Sequence, residues 1–423
     1  MIKEYPDLGE VVYEHALENG LLIRVVKKSE FSTVHAFLAV NYGSMDVRYR
    51  NNEHAFVSPN GVAHYLEHKM FDMPDGNVMQ LFSQYGGSPN AFTSYDITAY
   101  YVECTERFED NLALLLRYVF TPYFTQDSVD KERGIIAQEI KMYEDSPDSR
   151  VFENLYEAMY AQHPLRNSIA GTVESIEKVT AQTLYDCYHS FYTPENMMLC
   201  VVGDVDPESV VELAERLTPA KKDCGLPQCD YGEPESMEPS NAKVVCAMEV
   251  SMPMFALGFK TEPAPCGDEA MLQQIVGDLA AEILIGESSE LYTKLYEAGL
   301  IDTGFSCGYE GLKGAALLTA SGDSRDPMAV RDAILSEAAR ICREGIDGEL
   351  FDRLKKSMLG RKMRSLDSFS GICYRICAYH FEGVDYFSFP ELFRRVDAQQ
   401  IQSFLARTVT KDRCAISIIE PVG

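Results

Sequence analysis

No stretch of this 423-residue sequence approaches the roughly 18 consecutive apolar residues that a membrane-spanning helix needs. The opening residues, Met1-Ile2-Lys3-Glu4-Tyr5-Pro6-Asp7, lack the apolar core of a secretory signal. No phosphate-binding loop, dinucleotide fingerprint or nucleophile elbow is visible. Basic residues are scarce: 38 Lys and Arg stand against 65 Asp and Glu, giving a formal charge of −27 at pH 7. Such a chain offers no basic patch large enough to neutralise a nucleic-acid backbone, so neither nucleic acid nor membrane is an expected partner. Apolar residues at 46% and charged residues at 24% fit a globular protein, and the length allows two or three domains. Twelve cysteines without an export signal point to reduced thiols in a cytoplasm.

What is present is concentrated in His64-Tyr65-Leu66-Glu67-His68. On a helix, two imidazoles four apart share one face, and a glutamate at the third step lies between them. At about 100° per residue, Glu67, His68 and Phe71 fall within roughly sixty degrees of His64. Val62, Ala63, Leu66 and Met70 occupy the opposite arc and can anchor the helix in a core. This H-x-x-E-H order inverts H-E-x-x-H. Such histidine pairs also occur for packing alone, and a zinc site needs a third protein ligand and an open position.

Candidates lie further on. Residues 127–145 read as a helix, with Asp127 or Ser128 as N-cap and Pro147 just past its end. Glu132 and Glu139, seven apart, share a face with Ile135, Ile136, Met142 and Tyr143, while Lys131, Arg133, Gln138, Lys141 and Glu144 lie opposite. Carboxylates on an apolar face are costly to desolvate unless paired or bound to a cation. Matching by an arginine or lysine at the rim of the core is the plainer reading; with two histidines and Glu67 available, a metal is the stronger one. Thr93 to Thr105 reads as one strand, preceded by Gly86-Gly87 and Pro89.

These landmarks, with Asn90-Ala91-Phe92-Thr93-Ser94, "ERGIIAQEIKMYEDSPD", His163-Pro164 and Gly171-Thr172, resemble the pitrilysin-type (inverzincin) metallopeptidases, which include insulin-degrading enzyme and mitochondrial processing peptidase. The resemblance covers nearly the whole chain. It implies one zinc ion per chain held by His64, His68 and Glu139, with Glu67 as the general base that takes a proton from the attacking water and passes it to the leaving amine. It implies Glu132 as a supporting carboxylate that orients a ligand. It also implies that Asn90, Ala91 and Phe92 form a sheet edge to which a peptide substrate adds as a strand, although by residue type alone the stretch reads equally well as a core hairpin.

The order of strands and helices implies an α+β fold of two homologous domains, each a largely antiparallel sheet covered by helices. Residues 1–218 would form the zinc-binding domain and 243–423 its counterpart. Between them, the proline-, glycine- and acid-rich residues 219–242 read as a linker. At a spacing of 222, "DKERGIIAQEIKMYEDS" aligns with "DRLKKSMLGRKMRSLDS", so that Glu139 falls on Arg361 and Glu132 on Leu354. A shorter spacing puts the His64 helix near Gly277–Ala281, where there is no histidine. The second half therefore reads as a duplicate without a metal site, suited to walling a chamber.

Complete family members carry an arginine and a tyrosine in the second half that grip substrate and stabilise the oxyanion. Here the matching stretch is Leu295-Tyr296-Glu297-Ala298-Gly299-Leu300-Ile301-Asp302-Thr303, with Tyr296 at the arginine position. The chain thus resembles the zinc-bearing member of bacterial two-chain pairs, whose paralogous partner supplies the Arg/Tyr pair. A homodimer using Tyr292, Lys294 or Tyr309 is the alternative, and a non-catalytic scaffold subunit of the same fold is another. Cys373, Cys377 and His380 have helical spacing but no fourth ligand, so buried thiols are expected there. His15, His35, His54, His163 and His189 show no ligand spacing.

Overall fold

The computed structural model of the chain describes residues 1–52, 54–74, 76–221 and 225–422. Seven strands form the first sheet: β1 (Ile2–Tyr5), β2 (Glu10–Ala16), β3 (Leu22–Lys27), β4 (Val34–Val40), β5 (Ser88–Thr93), β6 (Thr98–Cys104) and β7 (Met197–Gly203). Their order is β1-β2-β3-β7-β4-β6-β5, antiparallel throughout except where β3 meets β7. The central strands β4 and β7 are buried along their whole length and read almost continuously apolar, the pattern of a sheet covered on both faces. β5 sits at the end of the order, paired only on the side of β6, with Asn90 opposite Tyr101 and Phe92 opposite Ala99.

A second sheet comprises β8 (Lys243–Met248), β9 (Met254–Thr261), β10 (Ser306–Leu312), β11 (Ala315–Asp323) and β12 (Cys414–Pro421), ordered β8-β12-β9-β11-β10. Only β8 and β12 run parallel. The rule first-last-second-fourth-third describes β3 to β7 and β8 to β12 alike. The chain is therefore an α+β fold built twice on one plan.

Six helices position the site and join the two halves: α1 (Val62–Met70), α2 (Gln126–Glu144), α3 (Pro147–Met159), α4 (Asp268–Ile285), α5 (Glu290–Glu297) and α6 (Phe369–Phe381). The halves exchange a helix. α3 belongs to the first half by sequence, yet Val151, Leu155 and Met159 pack on Ala256, Leu317, Ala415 and Ile419 of the second sheet. α6 belongs to the second half, yet Ile372, Cys373, Ile376 and Cys377 pack with Phe37, Met198, Cys200 and Val202 of the first. The backbone of β9 comes so close to α3 at Gly258 that an added Cβ would meet Met159 Cε at 2.5 Å.

Three sequence expectations change. The run expected as one strand from Thr93 is a hairpin, because Ser94 Oγ donates to Asp96 (2.8 Å) and accepts from the Ile97 amide (3.2 Å), closing a turn between β5 and β6. α2 starts earlier than expected, capped by Thr125, whose hydroxyl accepts the Ser128 N–H at 3.2 Å; Pro147 opens α3 and so marks a beginning as well as an end. The described part of residues 219–242 is a strap rather than a free tether, while positions 222–224 of it lie outside the described residues. Gln228 and Cys229 pair with Arg50 and Tyr49, and Tyr231 donates to Asp46 at 2.7 Å. The Glu235 carboxylate accepts the amides of Ala161, Gln162 and His163 and pairs with buried Lys260 at 3.3 Å. Anchored acids of this kind hold the segment against both halves.

α1 begins at a backbone crossing. Gly61, at φ +86°, would bring a Cβ within 2.3 Å of the Ala170 carbonyl oxygen, and Gly171, at φ +75°, would bring one within 2.5 Å of Asn60 O. Ser175 Oγ closes the crossing with a 2.7 Å bond to Asn60 O. The Gly61→Ala variant adds roughly 1 kcal/mol of left-handed strain to a clash that backbone must relieve. We expect a total loss of about 2–4 kcal/mol in urea unfolding; wild-type stability would show that the crossing is not required.

Candidate metal and hydrolytic site

α1 presents the two faces its sequence implies. Val62, Ala63, Leu66 and Met70 are at most 1% exposed. The other face turns toward α2, where the rings of His64 and His68, 4.6 Å apart between centroids, meet Glu139. His64 Nε2 lies 3.6 Å from Glu139 Oε1, and His68 Nε2 lies 3.3 Å from Glu139 Oε2. One ligand atom from each of the three residues falls within 4.8 Å of the others, the one such group of His, Cys, Asp and Glu among the described residues.

The donor set fits a zinc ion. Ligands about 2.0–2.1 Å from a tetrahedral zinc stand roughly 3.3–3.4 Å apart, close to the spacing of both histidine–glutamate pairs. His68 Nδ1 is 3.0 Å from Glu132 Oε1, which occupies that nitrogen and leaves Nε2 for a cation. Glu67, Glu132 and Glu139 bring three carboxylates to two imidazoles, and no lysine or arginine lines the adjoining cavity among the described residues. Partly buried acidic groups in that excess favour a cation.

The electrostatics follow from the same contacts. Burial pushes the Glu67 carboxyl up, although Thr93 Oγ1 donates to its Oε2 at 2.7 Å and opposes the rise. Glu139 is held down at about 2, first by its bond to His64, against burial and with help from Tyr143, whose hydroxyl donates to Glu139 Oε1 at 2.9 Å. Glu132 is lowered by its bond to His68. For His68, burial opposes the charge, but the Glu132 bond and the field of Glu67 and Glu139 outweigh it and raise the imidazole. The Nδ1 atom of His64 is buried without a partner among the described residues.

A cavity of about 420 Å³ opens beside these groups. It is lined by His64, Glu67, His68 and Glu139, by Ala91, Phe92 and Thr93 of the β5 edge, and by Ser149, Phe152, Glu153 and Tyr156 of α3. Asn90, named with Ala91 and Phe92 from the sequence, lies outside this lining; it is exposed and its Oδ1 accepts the Ala91 amide at 2.9 Å. Ile135 and Met142, read from the sequence as part of the apolar face of α2, are 56% and 59% exposed. Val129, Ile136 and Ile140 form the buried stripe, and the two glutamates sit at its border. Thr93 is a contributor that periodicity does not assign, whereas Tyr143 lies on the face that periodicity gives to Glu139 and only its contact is new. Tyr143 stands one turn past Glu139, a spacing that could have flagged it.

Among the described residues the second half holds no such cluster. Arg361, at the position matching Glu139, binds Glu282 Oε1 of α4 at 2.5 Å. Asp278 precedes Glu282 by one turn and accepts the amide of Tyr309 at 3.4 Å. α4 thus carries an i,i+4 pair of acids, the second of which pairs with Arg361. Tyr292, Lys294, Tyr296 and Tyr309 line no part of this cavity. Tyr296 is 50% exposed on α5 and stacks on Tyr292, whereas Tyr309 is buried with its hydroxyl bonded to Gln273. Cys373 and Cys377 are wholly buried with Cys200 between α6 and the first sheet, and no metal-type cluster forms there among the described residues. His35 is enclosed by Phe37 and Tyr101, and His163 Nε2 is bonded to Lys313 O, both in structural roles.

A family model described as Insulinase (Peptidase family M16) matches residues 24–173, and one described as Peptidase M16 inactive domain matches residues 178–358. The chain is 36% identical, over all of both lengths, to YmfH of Bacillus subtilis (strain 168), described as an uncharacterized zinc protease. A protein of Schizosaccharomyces pombe (strain 972) described as a probable mitochondrial-processing peptidase subunit beta is 27% identical over 53% of this chain and 48% of its own. The fold matches the crystal structure of an M16-like peptidase from Alicyclobacillus acidocaldarius with a TM-score of 0.94 and 30% identity, covering 99% of this chain and all of that one. No helix among the described residues is long and apolar enough to cross a membrane. With the two family models covering most of its length and a full-length relative at 36% identity, the chain belongs to the insulinase (M16) peptidase family.

Proposed function

We propose that the chain is a zinc-dependent endopeptidase that hydrolyses peptides or short unfolded segments laid as an added strand along β5. The observation that carries this reading is the convergence of His64, His68 and Glu139 on one point, beside a base held by Thr93 and an unpaired sheet edge. In this reading His64, His68 and Glu139 hold one zinc ion, which polarises the scissile carbonyl and acidifies the attacking water. Glu67 takes the water's proton and passes it to the leaving amine; its burial favours the protonated form and makes it a strong acceptor for that shuttle. Glu132 fixes the tautomer and orientation of His68. Ala91 and Phe92 present backbone and side chain to the bound peptide, with Asn90 extending the edge.

Residues 1–218 carry this chemistry and line the cavity in our reading, and 243–423 back its α3 wall without taking part in the chemistry. Among the described residues the cavity has no lysine or arginine, and the second-half arginine and tyrosine of the family have no equivalent in it. A paralogous subunit that brings such a pair to the substrate completes the site; a relative named as a subunit of a processing peptidase fits that assembly. A homodimer is the second reading, supported by the exposure of Lys294 on α5.

Purified without added metal, the chain should contain about one zinc per molecule, which a scaffold subunit would lack. Glu67→Gln should abolish peptide hydrolysis and retain zinc; substantial residual turnover rejects the mechanism. Glu132→Gln should weaken zinc about 10–100-fold in a chelator competition, and unchanged affinity would remove its supporting role. Peptidase assays of the chain alone and with a neighbour-encoded paralogue bearing the Arg/Tyr pair should show activity chiefly in the mixture. Full activity of the chain alone would end the two-subunit proposal.

A further inference from the structure

Attack on a peptide carbonyl builds negative charge on its oxygen, and hydrogen-bond donors aimed at that oxygen supply much of the catalysis. The hydroxyls that line the cavity belong to Thr93, Tyr95, Tyr143, Ser149, Tyr156 and Ser168, and of these only Thr93 and Tyr143 bond a carboxylate of the Glu67–Glu139 cluster. No lysine or arginine lines the cavity among the described residues. The Thr93 hydroxyl is committed to Glu67 at 2.7 Å, and the Tyr156 hydroxyl to Glu310 at 2.7 Å. Tyr143 differs: its hydroxyl donates directly to an atom of the metal-type triad, Glu139 Oε1, and its ring lines the same cavity as Glu67 and the β5 edge. It stands one turn along α2 from Glu139, on a ring that is partly exposed and free of any second bond through its hydroxyl among the described residues.

We propose that Tyr143 is a catalytic residue of this site, whose O–H donates to the carbonyl oxygen of the bound peptide as that oxygen becomes an oxyanion. The assignment rests on the peptidase reading above and leaves substrate grip to the partner subunit. The hydroxyl exchanges one oxygen acceptor, Glu139 Oε1, for another that arrives in the cavity. It keeps its proton throughout, so no bond to it is made or broken. The bond strengthens as charge develops on the substrate oxygen, which makes it a differential contribution to the transition state rather than to ground-state binding.

The test is Tyr143→Phe in the full-length zinc-loaded chain, with its partner where the pair is the active form. Three readouts separate the roles. Zinc affinity by chelator competition should change less than about 3-fold. Affinity for a phosphinic peptide, a tetrahedral anion that mimics the attacked carbonyl, should fall by about 10- to 100-fold, while a plain peptide of the same sequence, measured in the Glu67→Gln background, binds within about 3-fold of its former affinity. Turnover should fall about 100-fold with KM little changed, the size of effect expected on losing one oxyanion donor. If zinc affinity drops and excess zinc restores turnover, Tyr143 is only a positioning residue for Glu139 and the proposal fails. It fails as well if phosphinate and plain peptide weaken equally, or if the variant matches the wild type. A wild-type chain that binds neither zinc nor phosphinate sinks the peptidase reading itself, an outcome distinct from a defect confined to Tyr143→Phe.

Discussion

The exchange of α3 and α6 between the two sheets is the constraint on which the remaining structure depends. Each sheet is buried on both faces only because the other half lends it a helix. α3 follows α2 directly, so the segment that carries Glu139 runs without a break into the second half's core. One face of α3 packs on β9 and β12 while Ser149, Phe152, Glu153 and Tyr156 line the cavity beside His64, His68 and Glu139. The Tyr156–Glu310 bond then ties that wall to the edge strand β10. The second half contributes no candidate ligand, yet the geometry of the first cannot be separated from it. Retention of a degenerate repeat is understandable on packing grounds alone.

What the sequence made legible was local. The helical spacing of His64, Glu67 and His68, and the apolar arc of Val62, Leu66 and Met70, follow from a 3.6-residue period and need no tertiary information. The duplication was legible because α2 and its counterpart keep matched ends. The exchange was not, since Leu155 and Ile376 announce burial without saying against which sheet. The β5–β6 turn was hidden because Ser94 and Asp96 form it through side-chain bonds inside a run of strand-forming residues. The face of α2 was misjudged at Ile135 and Met142 because carboxylates and apolar residues alternate around the edge of its buried stripe. Thr93 and Tyr143 took their places through contacts that only the folded chain displays.

The second half keeps the strand plan of the first without a metal-type cluster among the described residues. Where Glu139 has two imidazoles opposite, Arg361 has Glu282. The guanidinium gives Glu282 of α4 a counter-charge. The Arg361–Glu282 pair is largely solvated, and exposed pairs of this sort add little stability. Its value is in avoiding an uncompensated acid between two packed helices. Asp278, more deeply set, is bonded to β10 through the Tyr309 amide and to α4's own Gln274.

β5 leaves a row of backbone groups unpaired at the edge of a seven-stranded sheet, and such edges invite pairing with other chains. Pro89 sits near its start and has no N–H to give, and Asn90 follows with an exposed polar side chain. A neighbouring molecule seeking to continue the sheet therefore meets only the short run from Asn90 to Thr93, beyond which Ser94 bends the backbone away. That is too little ladder to fuse two folded copies, so a short edge interrupted at both ends disfavours polymerisation through this strand.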